Sequence, residues 1–104
     1  MLKAEYRSTG KEKVGFVLHD GTIVEVMNIH PSPELHFEVS PDDLLRFEDT
    51  AQATWHTHPN GDANLSNDDY LAFLAWPQFT HYIVGNDGVR AYKALPEQGI
   101  VVCV

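Results

Sequence analysis

Apolar positions in this chain of 104 residues fall into short runs with strand or helix periods, separated by turn residues. Residues 14–19 and 22–28 are two strand-length runs on either side of Asp20-Gly21, a dipeptide suited to a tight hairpin turn. A proline-stiffened connection, Ile29-His30-Pro31-Ser32-Pro33, leads to residues 35–39, where Leu, Phe and Val alternate with His and Glu. That alternation predicts a third strand. Ser40-Pro41-Asp42-Asp43 then has the form of a helix start: a serine cap, proline at the first position, acids in the first turn. Leu44, Leu45 and Phe47 are expected to carry this short helix, and residues 51–57 read as another strand. A second helix is expected over residues 67–76, with Tyr70, Leu71, Phe73 and Leu74 toward the core and Pro77 ending it. Residues 80–85 and 89–94 form a further hairpin around Asn86-Asp87-Gly88, and residues 100–104 a terminal strand. The pattern is α/β: a mixed β-sheet with two short helices, without internal repeat or linker, expected as one domain over residues 1–104.

Composition narrows the class. An apolar share of 43% is enough for a core, and no apolar run approaches the eighteen or so residues of a membrane helix, so no membrane span is expected. The first residues lack a hydrophobic signal core, which leads to the expectation of a protein that is cytoplasmic when synthesised. The net charge of −8 argues against nucleic acid as a partner and favours neutral or basic substrates. One cysteine, Cys103, permits neither an intrachain disulfide nor a cysteine-based zinc cluster. It is expected to be a small buried residue of the last strand.

The chemistry concentrates in the run from Trp55 to Asp69, which contains His56-Thr57-His58-Pro59 and, further on, Ser66 and Asp69. Two imidazoles two residues apart on extended backbone point to one face. Pro59 keeps the residue before it out of the α region, so His58 stays in register with His56. A carboxylate near that face would complete three ligands with an open fourth position, the arrangement of catalytic rather than structural zinc. Ser-x-x-Asp has a second meaning: it resembles a capping box that opens a helix. The two readings are compatible, because a helix start fixes where Asp69 points. Asp68 is out of that register and reads as a solvated charge. His19, His30, His36 and His81 have no ligand-like spacing, and His36 and His81 are expected to be structural.

The order His-x-His-x7-Ser-x2-Asp resembles, at every defined position, the signature of the JAMM (MPN-plus) zinc metallopeptidases. The resemblance implies a JAMM/MPN-type fold, Zn²⁺ held by His56, His58 and Asp69, and hydrolysis of an amide or isopeptide bond. In that family a glutamate near the start of an early strand, in a Glu-x-x-Gly-apolar stretch, acts as general base. Glu12-Lys13-Val14-Gly15-Phe16 matches it, which makes Glu12 the expected base and Glu25, in the next strand, the alternative. Ser66 is implied as a hydrogen-bond donor to the water or the developing oxyanion. The segment from Asn28 to Leu44, with His81-Tyr82-Ile83-Val84-Gly85, is similar to the JAMM domain of tail assembly proteins of lambda-like phages. That similarity implies a virion tail location, phage tail proteins as partners, and a peptidoglycan-peptide or other peptide substrate.

Other members of the superfamily cut ubiquitin-like or sulfur-carrier C-termini, and some MPN domains are non-catalytic binding modules; both remain alternatives. The short loop from Asn60 to Leu65 is a poor clamp for a ubiquitin-like partner. A deaminase site needs Pro-Cys-x-x-Cys, which a single cysteine excludes, and a cupin needs a glutamate soon after His-x-His. Two features depart from the phage relatives: the eleven residues before Glu12 are a poor match for the usual preceding helix, and the cysteine-peptidase domain that usually follows is not in this sequence.

Overall fold

In a computed structural model, residues 11–59 and 61–104 are described. The expectation concerning the segment before Glu12 falls largely on residues 1–10, outside them. Six strands and two helices follow in the order β1 (Val14–Leu18), β2 (Ile23–Val26), α1 (Pro41–Phe47), β3 (Ala51–Thr57), α2 (Asn67–Ala75), β4 (Thr80–Gly85), β5 (Gly88–Leu95) and β6 (Ile100–Cys103). They form a small α/β fold around one six-stranded mixed sheet of order β2-β1-β3-β4-β5-β6. Only the β3–β4 pair is parallel among these strands. α2 is its crossover, as a parallel connection requires. Both hairpins form where the turn residues predict. Gly21 takes φ +90° and Asp20 Oδ1 accepts from the Thr22 amide (2.9 Å). Gly88 takes φ +124°, which only glycine adopts without strain.

The core lies on the helical side of the sheet. Phe16, Ala51 and Phe79 form one buried cluster, onto which Leu44 and Phe47 of α1 and Trp76 pack. Ala63, Phe73, Ile83 and Tyr92 form the other. α1 is capped by Ser40, whose Oγ accepts from the Asp43 amide (3.2 Å), with Pro41 in the first turn. On the opposite face, Trp55 is buried and its Nε1–H donates to the Val24 carbonyl (3.2 Å). Its indole explains Gly15, the strand residue paired with it: a Cβ there would lie 1.9 Å from the Val24 oxygen and 2.7 Å from Trp55 Nε1.

Four expectations need correction. Residues 35–39 are not a strand; they belong to a turn and an extended loop. The alternation is real, but Pro31 and Pro33 break the approach, and Leu35 and His36 bond back to the Ser32 carbonyl. The Asn28 side chain takes over what a ladder would do. Its Oδ1 accepts from His30 (3.1 Å) and Glu38 (3.0 Å), and its Nδ2 donates to the carbonyls of Glu12 and His36 (2.9 Å each). Leu45 and Leu71 are exposed, because each helix is short and buries only one narrow stripe. Cys103 is exposed as well, on the edge strand β6. Among the described residues, no helix is long and apolar enough to cross a membrane.

Candidate metal centre

β3 carries His56 into the middle of the sheet, between Val14 of β1 and Ile83 of β4. His58 lies one residue past the strand end, its amide donating to the Val84 carbonyl (2.8 Å). Both imidazoles therefore stand at the carboxyl end of a parallel strand, where its crossover begins, a recurrent place for ligands in α/β sheets. Asp69 arrives from α2 at its third position. Ser66 Oγ accepts from the Asp69 amide (3.1 Å) and Asp69 Oδ2 accepts from the Ser66 amide (3.2 Å), a reciprocal capping box. The cap is what aims the carboxylate, as both readings of Ser-x-x-Asp together require.

The three side chains meet. His56 Nε2 is 2.9 Å from Asp69 Oδ1, His58 Nε2 is 3.0 Å from Asp69 Oδ2, and the two Nε2 atoms are 3.3 Å apart. Glu12 joins them: Glu12, His56 and His58 each offer a ligand atom within 4.8 Å of the others. Glu12, His56 and Asp69 are all buried. Glu25 is exposed on β2, paired with Gly15, whose side of the sheet is away from His56. It takes no part in the site. Ser66 lines the same cleft, of about 560 Å³, together with Glu12, His36, His58, Asp68 and Asp69.

No family model matches the chain, and no curated protein does. Among solved structures, it is similar to the solution structure of protein DSY2949 from Desulfitobacterium hafniense. The TM-score is 0.70 at 19% identity, covering 94% of this chain and 78% of that one. At that identity the likeness concerns the fold.

The supports of the centre were mostly invisible in the sequence. His58 Nδ1 lies 2.7 Å from the Asp62 carbonyl. A carbonyl can only accept, so Nδ1 carries a hydrogen and Nε2 is left to face the site, the usual outer bracing of a metal-binding histidine. The loop holding Asp62 is itself pinned to the β4–β5 hairpin. Ala63 donates to Asp87 Oδ1 (2.9 Å), Asn86 donates to the Gly61 carbonyl (2.8 Å), and Tyr92 Oη donates to the Ala63 carbonyl (2.7 Å). Gly85 lets the loop approach; a Cβ there would sit 2.2 Å from the Ala63 nitrogen. Phe37 stacks on the His56 ring at 4.4 Å, and Phe73 meets it edge-on at 5.9 Å. Glu12 is held by its backbone, between the Pro33 carbonyl (2.6 Å from its nitrogen) and Asn28 Nδ2. In the sequence Asn-Asp-Gly signals a turn and nothing more, and a lone Asn28 signals nothing.

Electrostatics follow from this crowding. Burial works to raise the Asp69 carboxyl, but hydrogen bonds and charge from His56 and His58 overcome it and hold Asp69 well below the usual carboxylate range. Burial works to lower His58, and is outweighed by Asp69, the Asp62 carbonyl and Glu12, so His58 is raised. Glu12 is pushed up to about 7, chiefly by desolvation, with His58 opposing and Asp69 and Asp68 adding. With Nδ1–H committed, a neutral His58 turns a lone pair toward a carboxylate 3.0 Å away. Two electron-rich atoms at that distance need a cation between them, either a proton or a metal ion. The donor set of two imidazoles and one or two carboxylates suits a divalent metal.

His36 sits at the rim, its Nδ1 2.8 Å from Asp68 Oδ2, both partly solvated. His81 is structural, buried between Thr54 Oγ1 (2.6 Å from Nδ1) and the Trp76 carbonyl (2.9 Å from Nε2).

Proposed function

We propose that this chain is a zinc-dependent amide hydrolase of the JAMM type. The observation that carries the reading is the mutual spacing of His56 Nε2, His58 Nε2 and the Asp69 carboxylate, at 2.9, 3.0 and 3.3 Å. Ligands bound at about 2.0–2.1 Å to a tetrahedral ion stand about 3.3 Å from one another, as the two Nε2 atoms do, and the Asp69 carboxylate turns one oxygen toward each imidazole. Asp69 contacts both imidazoles directly and is aimed by the capping box, which favours it as third ligand; Glu12, within 4.8 Å of both histidines, is left as the proton carrier.

Zinc held by His56, His58 and Asp69 would activate a water for attack at neutral pH, lowering its pKa from about 16 to near 7. The residues do the rest. Glu12, buried beside the histidines, would take a proton from the attacking water at its carboxylate and deliver it to the leaving amine. Ser66 Oγ already accepts from the Asp69 amide, so its hydrogen is available to the developing oxyanion. One such donor is typically worth about 3 kcal/mol. The cleft carries Glu12, Glu34, Asp68 and Asp69. Its acidity suits a neutral or basic peptide, isopeptide or peptidoglycan-peptide substrate better than an acidic one.

The test is elemental analysis of protein made without a histidine tag, alongside Asp69→Ala and Glu12→Gln. Zinc near one per chain is expected in the wild type and in Glu12→Gln, and its loss in Asp69→Ala, with hydrolysis of amide substrates abolished in both variants. Zinc lost from Glu12→Gln but kept by Asp69→Ala would reassign the ligands to Glu12, His56 and His58. No zinc in the wild type, or full hydrolysis by Glu12→Gln, would overturn the reading and favour a non-catalytic binding module.

A further inference from the structure

A second cavity, of about 240 Å³, lies under residues 37–39 and Leu44 of α1, and against α2. Its floor is buried: Val14, Phe16, Phe73 and Phe79. Its rim is half-buried: Phe37, Val39, Leu44, Ala72 and Trp76. It adjoins the cleft of the metal centre: Phe37 and Ala72 line both. Phe37 also stacks on His56 at 4.4 Å, so one aromatic ring separates the cavity from a ligand.

The cavity is predominantly apolar. Thr54 and His81, the polar groups of its floor, are bonded to each other at 2.6 Å, and the other His81 nitrogen is bonded to the Trp76 carbonyl. Glu38 lies at the exposed edge. A charged or amide side chain entering would lose water without gaining a partner, which costs several kcal/mol at worst. An aliphatic or aromatic one would lose nothing. Size is sufficient, since a dry apolar cavity of about 150 Å³ takes a benzene molecule.

We propose that this pocket, walled by Phe37, Val39, Leu44, Ala72, Phe73 and Trp76, receives an apolar side chain of the substrate residue adjoining the scissile amide. The inference rests on the metal-centre reading, since it is the position of the reacting carbonyl that brings the side chain to the pocket mouth.

The experiment uses two probes, N-acetyl-leucine hydroxamate and N-acetylglycine hydroxamate, titrated calorimetrically into the zinc-loaded full chain. Both carry the same metal-binding group and differ in the side chain. The leucine probe is expected to bind at least about 10-fold tighter, as filling a hydrophobic pocket usually does. Ala72→Trp should erase that preference by filling the mouth, with zinc content unchanged. Ala72→Leu, a smaller change in a helix-favouring residue, covers the case in which the tryptophan variant does not fold, and should reduce the preference. Equal binding of the two probes by the wild type, or a preference that survives in folded Ala72 variants, would overturn the pocket while leaving the metal centre intact. Failure to load zinc, or to bind either probe, would overturn the metal centre, and the pocket inference with it.

Discussion

Acid should destabilise this protein in part through a single buried ring. His81 is 3% exposed, with both nitrogens satisfied: Nε2–H donates to the Trp76 carbonyl and Nδ1 accepts from the Thr54 hydroxyl. A proton added to Nδ1 would place a charge in the core and reverse the Thr54 bond. Burial, helped by the charges of His56 and Lys93 and opposed by the Trp76 carbonyl, therefore lowers His81 from 6.5 to about 4. The unfolded chain takes up this proton near pH 6.5, whereas the folded chain resists it down to about pH 4. Between these values the unfolded state binds more protons, so stability falls as pH falls. The full contribution of the neutral ring is present above pH 6.5 and has been lost by pH 4. At about 1.4 kcal/mol per pH unit, the loss across this window is about 3 kcal/mol. The assay is urea denaturation at several pH values with chelator present, comparing wild type with His81→Phe/Thr54→Val. The double change removes the titrating ring without leaving the threonine hydroxyl unpaired. Titration of groups that do not interact with His81 is common to both proteins and cancels in the difference. The variant should lose less stability than wild type between pH 6.5 and 4, by about 3 kcal/mol. Parallel pH profiles for the two proteins would refute the reasoning.

Three further outcomes are expected. In metal-free protein the Glu12 carboxyl is raised from 4.5 to about 7, so wild type loses stability as pH rises through that window; Glu12→Gln should match wild type at pH 4 and exceed it at pH 8 by up to about 3 kcal/mol in denaturant titrations. Gly15→Ala should cost about 1–3 kcal/mol or more by the same measurement, because the added Cβ meets the Val24 carbonyl at 1.9 Å with no flexible neighbour to give way; a neutral result would contradict the packing of Trp55 on that strand. Ser66→Ala should cost about 1 kcal/mol of stability through the lost cap. It should also weaken zinc binding in competition with a chromogenic chelator, since Asp69 is no longer aimed; unchanged affinity would separate the cap from the centre.

The parts of the site that depend on local geometry were legible in the sequence. His56 lies on β3 and His58 one residue past it, its amide still bonded to Val84 of β4, and Asp69 is aimed by a four-residue capping box. Both are short-range rules, readable from residue spacing alone. The hairpins at Gly21 and Gly88 were legible for the same reason: turn chemistry is local. Residues 35–39 show where this fails. Period-two alternation reports the order of apolar residues, not that the backbone has a strand beside it: Leu35 is exposed, and Phe37 and Val39 are half-buried. Here the backbone bonds go partly to the Ser32 carbonyl and the Ile29 amide and partly to one side-chain amide, Asn28, eight and ten positions away from His36 and Glu38.

That substitution of a side chain for a ladder also bears on the site. A regular strand over residues 35–39 would have paired along its length and kept its neighbours in sheet register. Because Asn28 does the bonding instead, Phe37 is free to stack on His56 and the Pro33 carbonyl to hold the Glu12 amide. One residue thus fixes the backbone of the expected base and the loop whose Phe37 borders both cavities. His56 and Asp69 are set by β3 and α2, elements with their own internal hydrogen bonds, whereas Glu12 and Phe37 are tied to the loop bonded to Asn28. On the proposed reading, ligation and proton transfer would rest on separate parts of the fold, and damage to Asn28 should reach Glu12 and Phe37 before it reaches His56, His58 or Asp69.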